Sequence, residues 1–428
     1  MMVGMAIQTI YMIVDMVFVG RVGSRALQAL AFNMPLVFFG LGVTFGLSSG
    51  VTAMVARFVG AGDKPQADNS AMHAVGLGLV VAAILTAAGL LWGRPLLSAL
   101  GVPGELAPVA WSYLRIIAAG YSFLVMSVFF RSILSGEGDM KTPMMIQGGG
   151  TLLNIALDPI FIFSLGLGVS GAALATVISQ AVVTAIFVVL LFVKQHSYVT
   201  FSRRDFRFSG PILGGILKLG LPASASFLII ALGGGVFNRL LSGLSTQAVA
   251  AYQVGLRLDH LFMLPIISVA TGMVTLVAMF RGAGEDDAIR AVVGYSMSRM
   301  VLLAVAIGAV FYVAAPSMVA PFSDDGAIRS LGTAYLRTIV LGYPFAAVAI
   351  LSGRILQGLG HGVPVLVLSA LRVVLLSAPL AYLFVYGMGK PVGWVWAAMV
   401  LGVMGSALVA VPWLRWVLSP VAGGSLSR

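Results

Sequence analysis

The chain has 428 residues, of which 60% are apolar and 9% charged, and it carries a net charge of +11. A soluble globular domain carries about 25% charged residues, so this composition excludes a water-solvated fold and points to lipid as the solvent. The absence of Cys excludes a disulfide framework, a thiol nucleophile and a thiolate metal site, and the four His residues show no metal-ligand spacing.

Twelve apolar stretches are long enough to cross a bilayer, which takes roughly 20 residues. They lie at 1–20, 29–56, 71–92, 109–130, 142–165, 170–193, 213–238, 248–280, 290–314, 331–353, 364–386 and 393–418. The first contains Asp15 and has no basic segment before it, so it is not a cleavable signal peptide. Its Gln8, Tyr11 and Asp15 are spaced i, i+3, i+7 and share one helix face. An ionisable residue at membrane depth is costly and points to function; the alternative is an Asp near the outer interface paired with Arg21.

The fifth stretch carries Asn154 and Asp158 one turn apart, followed by Pro159. Proline removes its own N–H and disrupts the bond to the carbonyl of Ile155. A freed carbonyl beside a carboxylate and an amide can form a cation cage, with Pro159 as hinge; otherwise Asp158 caps a simple kink. The sixth stretch adds Thr176 and Gln180 at i, i+4, a spacing that also suits interhelical hydrogen bonds.

The connection from Lys194 to Lys218 contains SRRDFRF (202–208) and is suited to a cytoplasmic linker touching anionic lipid. With the N-terminus inside, inner connections and the C-terminus hold fifteen Lys and Arg residues against six outside, and four lie in or near spans. That asymmetry puts both termini in the cytoplasm and explains the positive charge without a nucleic-acid partner.

In the second half, the intramembrane charges are Arg257, Asp259 and His260 in the eighth stretch and Arg372 in the eleventh. Arg257 and Asp259 cannot share a helix face, so these groups are assigned a structural or gating role.

Three blocks repeat at an offset of 222 residues. SSGVTAMVARFVGAGD (48–63) matches ATGMVTLVAMFRGAGE (270–285) at seven of sixteen positions, and WSYLRIIAAGYSFLVMS (111–127) matches TAYLRTIVLGYPFAAVA (333–349) at seven of seventeen. RSILSGEG (131–138) matches GRILQGLG (353–360) at four of eight. Six spans per half make the repeat parallel, about an axis along the membrane normal. The resulting organisation is a six-helix bundle over 1–194, a basic linker over 195–212, a second bundle over 213–418 and a cytoplasmic tail over 419–428. The second half opens with GPILGGILKLGLP (210–222), whose counterpart would precede Met1, so a complete protein is expected to begin roughly a dozen residues earlier. The carboxylates are not repeated: Asp15 corresponds to Phe237, and Asp158 to Pro379 or a close neighbour.

The loop GEGDMKTP (136–143) lacks the Gly-Lys-Ser/Thr arrangement of a phosphate-binding loop and is expected to be a helix-connecting turn. HExxH and paired His motifs are absent from the sequence, which argues against an enzyme.

The segments IYMIVDMVFVG (10–20), ARFVGAGD (56–63), RSILSGEGDMKTPM (131–144), LLNIALDPIFIF (152–163) and GAALATVISQ (171–180) resemble the multidrug and toxic compound extrusion (MATE) family, and within it the DinF-like branch. The resemblance implies an all-α membrane protein of two six-helix bundles forming a V around a central cleft in the bacterial cytoplasmic membrane. It implies export of hydrophobic or cationic small molecules in exchange for inward H⁺ or Na⁺, with no cofactor. The chain is expected to act as a monomer surrounded by membrane lipid. The implied cation-coupling residues are Asp15, Asn154, Asp158 and Thr176, which would also be the metal ligands if Na⁺ is the ion; Tyr11 and Tyr113 line the same cavity, with Gln8 and Gln180 beside them. The NorM-like branch uses C-terminal carboxylates, and here the tenth stretch has none. The competing reading is a lipid-linked oligosaccharide flippase of the same superfamily, against which Asp15 and Asp158 would repel an anionic headgroup.

Overall fold

The structure is a computed structural model describing residue 18, residues 22–202 and residues 206–419. Gln8, Tyr11 and Asp15 of the first predicted span lie outside the described residues, as do Arg203 and Arg204 of the linker. No strand occurs among the described residues. Eleven helices there are long and apolar enough to cross a membrane. They are α1 (Ser24–Gly60), α2 (Lys64–Ala99), α3 (Ala107–Gly136), α4 (Lys141–Ser164), α5 (Gly168–Val193), α6 (Gly210–Ser242), α7 (Thr246–Ala283), α8 (Asp286–Phe322), α9 (Gly326–Gly358), α10 (Val363–Gly387) and α11 (Gly393–Leu418).

Each predicted span from the second onward coincides with one helix, and most helices run further at both ends. The reason is visible in α2: its 36 residues reach about 54 Å at 1.5 Å per residue, well beyond a hydrocarbon core of about 30 Å. The overhang is polar, and Asp63 caps the first turn by accepting the Gln66 N–H at 3.2 Å.

The chain divides into two compact units, Met1–Gly220 and Leu221–Arg428, with the boundary inside α6. In the first unit α3 is central and packs against α1, α2 and α5; in the second, α9 packs in the same way against α7, α8 and α11. The buried residues of α3 and α9 form the cores, with Phe129, Ile133 and Leu134 in one unit and Leu351, Ile355 and Leu356 in the other.

The internal repeat extends to single contacts. Gly136 ends α3 and Gly358 ends α9, 222 residues later. A Cβ on Gly136 would lie 2.8 Å from Val55 Cβ and 3.1 Å from the Thr52 carbonyl oxygen. A Cβ on Gly358 would lie 3.1 Å from Val277 Cβ and 2.9 Å from the Val274 carbonyl oxygen, the counterparts at the same offset. Both halves thus bring two backbones together where only Gly fits, the usual device for close helix packing in lipid. Gly136→Ala and Gly358→Ala are each expected to destabilise their unit by about 1–3 kcal/mol through overpacking. A lowered apparent melting temperature of the detergent-purified variants checks this.

The connection between α5 and α6 is strapped to the first unit. Glu137 accepts hydrogen bonds from the Ser197 hydroxyl at 2.5 Å and from the Tyr198 and Val199 N–H groups, both at 3.0 Å. Burial pushes the Glu137 carboxyl up from its ordinary value, while these hydrogen bonds pull it the other way. Asp68 accepts from the Thr200 N–H at 2.8 Å and hydroxyl at 2.7 Å, and Lys64 donates to the Tyr198 carbonyl at 2.8 Å. Further along, Ser209 N–H donates to His73 Nε2 at 2.9 Å, so the His73 proton sits on Nδ1, 2.8 Å from the Asn69 carbonyl.

Candidate functional site

Helix α4 is α-helical from Lys141 to Pro159 and π-helical from Ile160 to Ser164. Pro159 offers no N–H to the regular ladder, and the following turn takes the wider i→i+5 pattern. Asp158 therefore occupies the last regular turn before the helix widens. Its side chain is fully buried, and Asn154, one turn earlier on the same face, is 4% exposed. The Asn154 amide has no hydrogen-bond partner among the described residues at either Nδ2 or Oδ1. A buried primary amide left this way in a membrane helix is costly. It is the kind of group that a cation or a polar cargo atom can satisfy.

Helix α5 packs against α4. Thr176 is half-buried, and its hydroxyl donates to the Ala172 carbonyl at 3.0 Å, which leaves its lone pairs for another donor or an ion. Gln180 accepts the Ser127 hydroxyl of α3 at 3.2 Å, and Thr184 donates to the Phe123 carbonyl at 2.7 Å, so α5 is tied to α3 by hydrogen bonds as well as by packing. Ser179 is buried without a partner among the described residues. Tyr113 of α3 packs against a cluster of Ala26, Leu30, Ile162, Val169 and Ala172. Asn154, Asp158, Thr176, Gln180 and Tyr113 thus all belong to the first unit, on α4, α5 and α3; Gln8, Tyr11 and Asp15 fall outside the described residues.

The loop 136–143 is a turn. Asp139 accepts the N–H groups of Lys141 and Thr142, both at 3.0 Å, so the donors that open α4 are occupied by a side chain of the loop itself. Burial acts to raise the Asp139 carboxyl, but these backbone bonds and the Thr142 hydroxyl outweigh it and bring it below the usual value.

A second acidic centre sits in α7, and sequence reasoning gave it only a loose structural or gating role. Asp259 is half-buried. Tyr335 donates to one of its oxygens at 2.5 Å and Tyr343 to the other at 2.6 Å, both from α9. The tyrosines are buried; Tyr343 stacks on Phe262 with centroids 3.5 Å apart, and Tyr335 lies edge-on to Trp396 at 4.9 Å. The signal was present in the repeat, because Tyr335 and Tyr343 match Tyr113 and Tyr121 at the offset of 222. Among the described residues no group of three or more His, Asp or Glu side chains is placed to hold a metal ion.

The MatE family model matches the chain twice, over residues 1–160 and 222–383, reproducing the two halves. A FAD transporter of Shewanella oneidensis is 26% identical over 380 residues, covering 88% of this chain and 84% of that protein. The multidrug export protein MepA of Staphylococcus saprophyticus is 28% identical over 407 residues, covering 94% and 88%. Among solved structures, the outward-facing conformation of a multidrug resistance MATE family transporter superposes with a TM-score of 0.95 at 30% identity, covering 99% of this chain and 94% of that one.

Proposed function

This chain belongs to the MatE family of membrane transporters, and from that premise we propose that it is a secondary active antiporter that exports hydrophobic or cationic small molecules in exchange for inward H⁺ or Na⁺. Relatives named for multidrug export support the cargo class. The observation that carries the coupling role is the fully buried Asp158, one turn from an Asn154 amide with no hydrogen-bond partner among the described residues, where α4 turns from α to π.

The chemistry follows from placing charge at membrane depth. An ionised carboxylate there is costly, and a proton or a small cation neutralises it. The sequence offers Asp15 as the second carboxylate of the proposed coupling pair, and two carboxylates held together in a low-dielectric environment would favour uptake of one positive charge. Neutralisation changes the local packing, and the π-helical turn after Pro159 is where α4 can absorb the change. Asn154 and Thr176 contribute oxygen ligands if the ion is Na⁺. The protein spans the bacterial cytoplasmic membrane with both termini inside, following the Lys and Arg asymmetry of its connections.

The test is transport in proteoliposomes. Ethidium uptake is expected when either a pH gradient or a Na⁺ gradient is imposed, and the gradient that drives it identifies the coupling ion. If neither gradient drives ethidium, the reading fails.

A second reading has one specific support. One relative is named a FAD transporter, and in this chain the half-buried Arg131 and Arg354 lie over Phe45 and Phe227, at 5.4 and 5.9 Å, with no ion pair among the described residues. Each unit thus offers one such Arg, and either would suit an anionic flavin nucleotide; FAD moved by the same liposomes in place of ethidium would favour this reading.

A further inference from the structure

Helices α8 and α9 enclose a groove at the end where their connection lies. A cavity of about 590 Å³ opens there, lined by Pro316 and Ala320 of α8 and by Arg329, Ser330, Thr333 and Arg337 of α9. Arg329, Thr333 and Arg337 are spaced i, i+4, i+8 and share one face of α9. Two cations and two hydroxyls thus meet in one place within the second unit, and the proposed coupling residues all belong to the first.

The two arginines differ. Arg329 is already engaged: it pairs with Asp324 at 2.8 Å, and its Nε donates to the Ser323 carbonyl at 2.6 Å. Asp325, the other acidic residue of the connection, accepts the Ala327 N–H at 2.7 Å. Arg337 has no acidic partner among the described residues. Its Nε donates to the Tyr312 carbonyl at 3.4 Å, and its guanidinium lies over the Tyr312 ring at 5.4 Å. Both Arg337 and Tyr312 are exposed.

Depth decides what such a cation can meet. The 33 residues of α9 reach about 50 Å, so about 10 Å overhangs a hydrocarbon core of about 30 Å at each end. Arg337 lies about 17 Å from the helix start at Gly326, below the edge of the hydrocarbon. Its Cα–Cβ bond points back toward the helix N-terminus, which carries the guanidinium up toward the headgroup layer. A guanidinium at that depth is costly without an anion. Leu341, one turn deeper on the same face, and Val313 of α8 are exposed and apolar. The position is also repeated: Arg115 matches Arg337 at the offset of 222, within Tyr-Leu-Arg in both halves, and is likewise exposed. In the first unit Arg94 of α2 lies over Trp111 of α3 at 5.1 Å, so the matching helix pair again sets a basic side chain against an aromatic ring.

We propose that the α8–α9 groove binds an anionic phospholipid of the adjoining leaflet. Arg337 holds its phosphate, with Arg329 and the Ser330 and Thr333 hydroxyls beside it, and its acyl chains run along Leu341 and Val313. A guanidinium presents two parallel N–H donors to a phosphate, and a lipid carries that phosphate on a tail suited to the apolar surface below. With both termini inside, the α8–α9 connection lies outside, which makes this the outer leaflet.

The test is photolabelling of the full chain in phosphatidylcholine nanodiscs that contain a small fraction of photoactivatable phosphatidylglycerol, with adducts located by peptide mass spectrometry. Adducts over residues 309–341 are expected to exceed those from a matching phosphatidylcholine probe by about fivefold or more. Arg337→Ala is expected to cut them about tenfold, the loss of one charge-assisted pair. Arg337→Lys is expected to keep a part, as a point charge would. Lys390→Ala removes an exposed cation of another connection and is expected to leave them within about twofold. Equal labelling by the two probes, or by wild type and Arg337→Ala, overturns the proposal. An equal loss in Lys390→Ala does so too, since it would reveal diffuse attraction only. Labelling abolished by millimolar inorganic phosphate at constant ionic strength would make the ligand a soluble anion and sink the lipid assignment. The readout is lipid contact and not transport, so this site and the exporter reading fail separately.

Discussion

Asp158→Asn is expected to reduce export to background while the protein still accumulates in the membrane, and Asp15→Asn is expected to do the same. The substitution is nearly isosteric and removes a fully buried ionisable group. Because a buried charge lowers stability unless it is compensated, the neutral variant should fold at least as well as the parent, and any functional loss reflects chemistry. An amide takes up no proton and has no charge for Na⁺ to balance, so the cation-dependent rearrangement has no trigger. One charge returning through about 100 mV supplies about 2.3 kcal/mol, which sustains roughly a 50-fold gradient of a neutral solute. Without coupling that gradient falls to unity. Intracellular ethidium in cells expressing Asp158→Asn should match the level without transporter; wild-type efflux would remove Asp158 from the coupling site.

How much of this was legible in the sequence depends on the range over which each feature is encoded. The spans were legible because lipid demands a local property, a run of apolar residues, and each run described coincides with one helix. The doubled scaffold was legible because the same backbone contacts need the same residues, as Gly136 with Val55 and Gly358 with Val277 illustrate. Asn154 and Asp158 were legible as a pair because one helical turn separates them. The π-helical ends of α4 and α10 were not, since a single wide turn leaves no trace in apolar periodicity. The partners of Asp259 lie 76 and 84 residues away, and those of Glu137 about 60, distances at which composition and spacing are silent. For Asp259 the repeated tyrosines were the available clue, but spacing alone does not say that their hydroxyls converge on one carboxylate.

The strongest steric prediction concerns how the widened helix is seated. In the first unit, α5 crosses the π-helical turn of α4 at Gly171, where a Cβ would lie 2.5 Å from the Phe161 carbonyl oxygen, 2.6 Å from its carbon and 2.9 Å from the Ile162 nitrogen. These are backbone atoms with no flexible end to move aside. In the second unit, a Cβ on Gly402 of α11 would lie 2.6 Å from the Arg372 carbonyl oxygen and would also clash with Ser377, against the π-helical stretch Leu371–Ser377 of α10. Each half therefore uses a Gly in its last helix to accept a non-α turn in the preceding one, at different positions of the repeat. Gly171→Ala must push the turn after Pro159 away from α5 or drive it back toward regular α-helix, and either change moves Asp158. Both Gly171→Ala and Gly402→Ala are expected to cost about 1–3 kcal/mol in stability, measured as a lowered apparent melting temperature. Their functions should diverge. Gly171→Ala is expected to lose ion-driven ethidium transport at temperatures where the protein remains folded, because the altered turn carries the coupling residue. Gly402→Ala leaves that turn untouched and is expected to keep a driven, if slower, exchange. Equal transport by the two variants would mean that the π-helical turn after Pro159 is a packing feature and that coupling does not depend on its shape.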